Sequence, residues 1–358
     1  MTRRAYGLAL LLLAGCDTHM SGGRMDFTPV PQKAENATSF VPPPYPFDIE
    51  AETRMPAHCI HHILAANLIS RGGSPAVPVT VDSEKGIGFL SPSEDDIGVF
   101  NDNDDHLDDL PDISVEKVTT VSGTQETFIT RLKQLTFAQG HVEKVRAAKL
   151  GQMGDDRKSD KRPLAILGFD ILGNYNVLLD IPAKRLILFI ADSTPDCPSL
   201  SEVVGGKTFQ TPLMNGLSGA DNLVTVMLDG KLIGMHLEPS SNLSVISRKD
   251  ALGSGLTEAE LEQGDRTNTL NGETLVGYRY AYRAINIGNW HGGAFSVNVE
   301  PVNYNLLGLD FFRHRRVLMA FPSGMVYFGD EQPDSEIETH TRGLSPLASH
   351  IAHSHVRL

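Results

Sequence analysis

Two stretches decide the fold: ILGFDILGNYNVLLDIPAKRLIL, residues 166–188, and LLGLDFFRHRRVLMAFPSGMVYF, residues 306–328. They match without a gap at an offset of 140, and six of 23 positions are identical. Both read apolar-apolar-Gly, apolar-Asp, Val-Leu or Val-Leu-like, Pro, then an apolar strand. Gly168/Gly308, Asp170/Asp310 and Pro182/Pro322 fall in one register. A repeat of this kind marks a structural unit built twice.

The repeat extends upstream. In the first copy an apolar strand at 76–81 is followed by Asp82-Ser83-Glu84-Lys85, then Ile87 and Phe89-Leu90-Ser91. In the second, the apolar run 224–237 is followed by Glu238-Pro239-Ser240-Ser241, then Leu243 and Val245-Ile246-Ser247. In each copy a carboxylate is thus followed five, seven and eight residues later by apolar side chains. Each copy then carries a Gly-bearing hairpin candidate: VSGTQETFITRLKQLTF around Gly123, and LNGETLVGYRYAYRAINIG around Gly272 and Gly277. Alternation of apolar and polar residues favours strands in both. Tyr278, Tyr280 and Tyr282 alternate on one face of the second hairpin, and Trp290 is expected to pack beneath it.

The chain therefore reads as all-β, with two pseudo-symmetric lobes at 55–192 and 212–332. The Pro/Gly-bearing segment 193–211 joins them, and a patternless tail occupies 333–358.

This arrangement resembles the retropepsin-like aspartic proteases, in the bacterial form with two copies in one chain. The residues that carry the resemblance are Ile166-Leu167-Gly168-Phe169-Asp170, Leu306-Leu307-Gly308-Leu309-Asp310 and the stretch 235–247. The last is similar to the family's catalytic loop, where apolar-Asp-Thr-Gly-Ala precedes Ser-Val-Ile-Ser. The resemblance implies two β-barrel lobes, each supplying one carboxylate. It places Asp82 and Glu238 as the pair, with Ser83, Ser240, Gly168 and Gly308 supporting the loops. It also makes Gly123, Gly272 and Tyr278 part of substrate-binding hairpins. Two like charges so close cannot both ionise: one carboxyl donates a proton while the other draws one from water.

The loops depart from that pattern. Glu238 stands where Asp is expected, Pro239 and Ser240 where Thr-Gly is expected, and Glu84-Lys85 follow Asp82-Ser83. Glycine permits a tight turn there, and proline removes an N–H and a hydroxyl. Three readings stay open at this point. One is a catalytically weak or silent peptide-binding protein. Another is an active aspartic endopeptidase with an Asp82/Glu238 dyad. The third is a misaligned register, with catalysis elsewhere or a different β fold.

Gly168 lies 86 residues after Asp82 and Gly308 only 70 after Glu238. The difference points to an insertion in the first lobe at SEDDIGVFNDNDDHLDDLPD, residues 93–112. Within it Asp102-Asn103-Asp104-Asp105 lacks the glycine and final glutamate of an EF-hand, and the stretch reads as a solvated acidic loop. His58, Cys59, His61 and His62 have no evident further ligand, and His350, His353 and His355 lie in the tail. No metal and no cofactor are expected. No Gly-rich phosphate loop and no G-x-S-x-G elbow occurs.

At the N-terminus, MTRRAYGLALLLLAGCD has a basic start, an apolar run and Cys16. Leu13-Ala14-Gly15-Cys16 resembles a lipobox, so 1–15 is expected to be a lipoprotein signal and Cys16 the lipidated residue. Residues 16–52 read as a flexible tether. The expected location is a bacterial membrane facing the periplasm. Asp17 resembles an inner-membrane retention signal, and Arg3-Arg4 loosely resembles a twin-arginine motif. Cys59 and Cys197 could form a disulfide in such an oxidising compartment. A net charge of −13 argues against nucleic acid. The expected partners are a peptide or unfolded protein in the cleft, held by β-addition, and a membrane through the anchor alone. With both lobes in one chain, the protein is expected to be monomeric.

Overall fold

The computed structural model describes residues 42–71, 74–100, 110–120, 123–150, 162–214, 221–264, 266–268 and 276–332. Among the described residues the chain is predominantly β and forms two sheets, one of 15 strands and one of eight.

The repeated strands meet at the centre. Asn176–Asp180 and Arg316–Ala320 pair antiparallel, with Leu178 opposite Leu318. Those two residues are related by the repeat offset of 140. Asn176 faces Ala320 and Asp180 faces Arg316, so the pairing reads the same from either strand. That is the self-complementary contact a two-fold axis requires. Arg185–Ala191 and Ile60–Asn67 extend this sheet on one side; Met325–Gly329 and Thr208–Met214 extend it on the other. All five residues of each central strand are buried, and the cores of the two strands, Val177-Leu178-Leu179 and Val317-Leu318-Met319, are apolar throughout.

The same join carries charge. Arg316 donates to Asp180 at 2.7 Å, and Arg316 and Arg185 both engage Glu52. Glu52 lies on the helix Ile49–Thr53, whose N-cap Asp48 accepts from the Ala51 N–H at 3.2 Å. This helix occupies part of the stretch read as tether. Ile49 and Thr53 are buried, so the folded chain starts earlier than composition suggested. Cys59 and Cys197 are joined by a disulfide with a Cα–Cα distance of 5.6 Å. It ties the first strand of the sheet to the segment between the lobes.

Each lobe builds the same motif on this base. A hairpin, Ser74–Val81 with Glu84–Leu90, lies parallel to Pro163–Leu167. Its counterpart, Leu223–Leu228 with Lys231–Leu237, lies parallel to Leu306–Leu307. A short strand after each loop, Gly98–Phe100 or Val245–Ser247, runs antiparallel on the other side. A long hairpin follows in each lobe: Ser114–Thr120 with Gly123–Phe137, and Arg266–Asn268 with Val276–Tyr282.

Candidate functional site

The strand, loop and glycine of each lobe interlock. Gly168 passes under the first loop so closely that a Cβ would stand 2.4 Å from the Asp96 carbonyl oxygen. At Gly308 a Cβ would stand 2.3 Å from the Leu243 carbonyl oxygen. No side chain fits at either place. The Asp after each glycine holds its loop from below: Asp170 accepts from the Ile97 N–H at 3.1 Å, and Asp310 from the Ser244 N–H at 3.1 Å. Phe169 N–H donates to the Glu94 carbonyl, and Leu309 N–H to the Ser241 carbonyl. Ser91 N–H donates to Leu167, and Glu238 N–H to Leu307.

These bonds set the register. Glu94 corresponds to Ser241, Ile97 to Ser244 and Ser91 to Glu238, always at an offset of 147. Leu90-Ser91-Pro92-Ser93 thus overlies Leu237-Glu238-Pro239-Ser240. The first lobe presents a hydroxyl where the second presents a carboxylate.

Asp82 lies elsewhere, which corrects the Asp82/Glu238 pairing. It forms the turn between Ser74–Val81 and Glu84–Leu90, at φ 54°. Its Oδ1 accepts from the Gln134 N–H at 2.9 Å. Seven strand residues separate that turn from the loop, about 20 Å at the usual rise. Its counterpart at the same offset of 147 is Asp229, at φ 45°, whose Oδ1 accepts from the Arg283 and Ala284 N–H groups at 2.9 Å. Both residues clamp a tight hairpin turn to a neighbouring strand. Ser83 is the second residue of the same turn and supports no catalytic loop.

Glu238 has 0% of its surface exposed. Its Oε2 accepts from the Ser91 hydroxyl at 2.6 Å and from the Ser93 hydroxyl. Its Oε1 accepts from the Ser240 hydroxyl and from the Ser240 N–H at 3.2 Å. Burial pushes the carboxyl up to about 7, while the hydroxyls of Ser91 and Ser93 and the Ser240 backbone pull it back. Each loop is also tied to the opposite lobe. Ser74 donates to the Ser240 carbonyl at 2.6 Å, and the Asn222 amide donates to the Pro92 carbonyl. Asn222 Oδ1 meets His236 Nδ1 at 2.7 Å, so the proton resides on Nδ1. Burial pushes His236 down to about 4, and its ring sits edge-on to Tyr304 at 5.0 Å.

The second carboxyl at this floor is Glu94, three residues after Ser91. Burial, then the charge of Glu238, then Asp95 and Asp96 push it up to about 8. Ser93 to Asp96, expected in a solvated insertion, form the loop itself. Asp96 is ion-paired with Arg146. The missed signal was the shared Leu-x-Pro-Ser, together with the common offset of Asp82 and Asp229.

Gly123 begins the second strand of the first-lobe hairpin. Gly272, Cys16, the tail histidines and 101–109 lie outside the described residues. Tyr278 and Tyr282 are buried in the second lobe, where they join its hydrophobic core. Trp290 packs against Phe311 and Phe328 at 6.2 and 6.0 Å and against the core cluster that holds Tyr278 and Tyr282. His58, Cys59 and Cys197 bring three ligand-type atoms within 4.8 Å of one another, but both sulfurs are consumed by the disulfide. No described helix is long and apolar enough to cross a membrane.

A dyad must hold a water between an ionised and a protonated carboxyl. At the two equivalent positions here stand one carboxyl and one hydroxyl, already hydrogen-bonded to each other. A serine hydroxyl supplies neither a carboxylate base nor a carboxylic acid. That acid-base contribution is typically worth 10²–10⁴-fold in rate.

The family model "Aspartyl protease" matches residues 224–311, the segment that contains Glu238, Gly308 and Asp310. No curated protein matches the chain. Among solved structures, the chain is similar to the aspartic proteinase from Irpex lacteus. The match has 11% identity and a TM-score of 0.45, and covers 75% of this chain and 97% of that one.

Proposed function

We propose that this chain, whose fold is that of the aspartic proteases, holds extended peptides in its cleft and does not cut them. The observation that carries this reading is Ser91. It occupies the position equivalent to Glu238 and donates to that same carboxyl at 2.6 Å. With Ser93 and Ser240 completing the set, Glu238 is held by hydroxyls on both oxygens. Such a carboxyl fixes one loop to the other; it does not position a water.

The first-lobe hairpin supports the binding half. Ser114–Thr120 is the end strand of its sheet, and Val115, opposite Phe128, is exposed together with Ile113. A strand with no further neighbour among the described residues, beside apolar side chains, suits β-addition of an extended chain. The test is fluorescence anisotropy of labelled unstructured peptides against the full chain and a Val115→Asp variant. Saturable binding weakened by the variant, with peptides recovered intact, supports the reading. Binding unaffected by the variant, or none, contradicts it.

The lipid-anchored, exported location is part of the proposal. The run from Leu8 to Cys16 supports it, and the Cys59–Cys197 disulfide suits an oxidising compartment. Incorporation of labelled palmitate that disappears in Cys16→Ser is the expected result; incorporation retained in that variant would refute it.

The second reading is an endopeptidase using Glu238 with Glu94. The charge of Glu238 on Glu94 favours it, since a coupled carboxyl pair would share one proton.

A further inference from the structure

The second lobe contains a cavity of about 230 Å³ whose walls include neither Glu238 nor Ser91. It lies beside Phe295–Glu300 and the helix Leu309–Phe312, and Glu331 stands in its wall. Trp290, Phe295 and Ile285 give it an apolar surface. Arg315 gives it a cation that is only 3% exposed.

The guanidinium of Arg315 is laid against two rings, 4.6 Å from the Trp290 centroid and 4.8 Å from that of Phe311. Its Nη1 donates to the Phe311 carbonyl at 2.9 Å. Its Nη2 donates to Glu331 Oε1 at 2.7 Å. Its Nε is buried and has no partner among the described residues. Nε and Nη2 form one edge of the planar group, the edge that matches both oxygens of a carboxylate. Glu331 satisfies half of that edge with one oxygen, and its side chain is 64% exposed. A buried cation with a half-used fork, stacked on aromatics and lining a cavity of mixed apolar and polar walls, is a built anion site with a removable plug.

We propose that this cavity binds a small carboxylate with a flat apolar body, taking the Nε/Nη2 edge of Arg315 and displacing Glu331. The volume suits a ligand of that size, below the ~300–1,000 Å³ of larger ligand clefts. A planar monoanion fits better than a phosphate dianion. Arg279 and Asp310 also line the cavity and offset each other, so with Glu331 displaced Arg315 leaves one net positive charge, which a monoanion matches. The site is independent of the peptide cleft and does not rest on the reading above.

Trp290 is the single tryptophan of the chain, so its fluorescence reports this cavity. The full chain is titrated with benzoate, with benzamide as the neutral isostere and with inorganic phosphate, by fluorescence and calorimetry. Saturable binding of benzoate, with neither benzamide nor phosphate matching it, is expected. Glu331→Gln removes a charged competitor and should tighten benzoate by about tenfold. Arg315→Lys keeps the charge, loses the fork and should weaken it by about tenfold or more. Should Arg315→Lys fail to fold, the exposed Glu331→Gln decides alone. Absence of benzoate binding, equal binding of benzamide or phosphate, or no effect of Glu331→Gln would overturn the assignment.

Discussion

The loops 91–97 and 238–244 have the same backbone and opposite chemistry. Both sit above a glycine that admits no Cβ, both are held by an Asp carboxylate from below, and both run through Pro-Ser. Only one begins with a carboxylate. In the other a hydroxyl takes that place and turns the equivalent contact into a hydrogen bond between lobes. The pseudo-symmetry is thus kept where it builds the fold and broken at the position that would do acid-base work.

If the backbone equivalence holds, Gly168→Ala and Gly308→Ala should be the most damaging changes. Each forces a Cβ into a backbone carbonyl that cannot move without opening its loop. Each is expected to cost about 4 kcal/mol or more, read by chemical denaturation. Tolerance at one glycine and not the other would show that the loops are not structurally equivalent.

The chemical asymmetry predicts a pH signature. Glu238 and Glu94 have folded-state values raised to about 7 and about 8 from an ordinary 4.5, chiefly by burial. The folded state therefore binds protons more tightly than the unfolded one. The stability this contributes is full below about pH 4.5 and is lost as pH rises through 7 to 8. For Glu238 the loss is about 3 kcal/mol. Thermal unfolding should give a higher Tm at pH 5 than at pH 8, and Glu238→Gln should flatten the difference. An unchanged slope in that variant would mean that Glu238 is not a buried titrating group.

Ser91→Ala removes one donor to Glu238 and should destabilise by about 1–3 kcal/mol at pH 8, where the carboxyl is ionised. The cost should shrink at pH 5. Denaturation at the two pH values checks this; a loss independent of pH would assign Ser91 a packing role only.

The smallest effect is expected at the hairpin turns. Asp82→Asn and Asp229→Asn keep an acceptor for the backbone N–H groups, and Asn tolerates positive φ. Both should change stability by less than about 0.5 kcal/mol. A large effect at Asp82 alone would show that the two turns are not counterparts.

The fold was legible because the repeat at 166–188 and 306–328 encodes the buried strands and the steric glycines that the axis requires. The disulfide lay within reach of composition, since only Cys59 and Cys197 remain beside Cys16. Glu238 was legible because the sequence around it keeps the loop's apolar frame. Its partner was not. The acid that follows the matching apolar strand in the first copy is Asp82, whereas the equivalent residue is a serine, which no acid pattern marks. Hairpin turns and catalytic loops both place an Asp or Glu between apolar runs, and only the hydrogen bonds to Gly168's strand separate them. The pocket at Arg315 was invisible because cation, rings and Glu331 converge from segments with no shared motif.

The central claim is that the site lacks a working acid pair. Its most direct test is cleavage of a mixed unfolded peptide library by the folded protein from pH 3 to 8, beside Glu238→Gln, Glu94→Gln and Asp82→Asn. The account predicts no cleavage that depends on Glu238. Cleavage abolished by both Glu238→Gln and Glu94→Gln would contradict it and establish a glutamate pair as the catalyst.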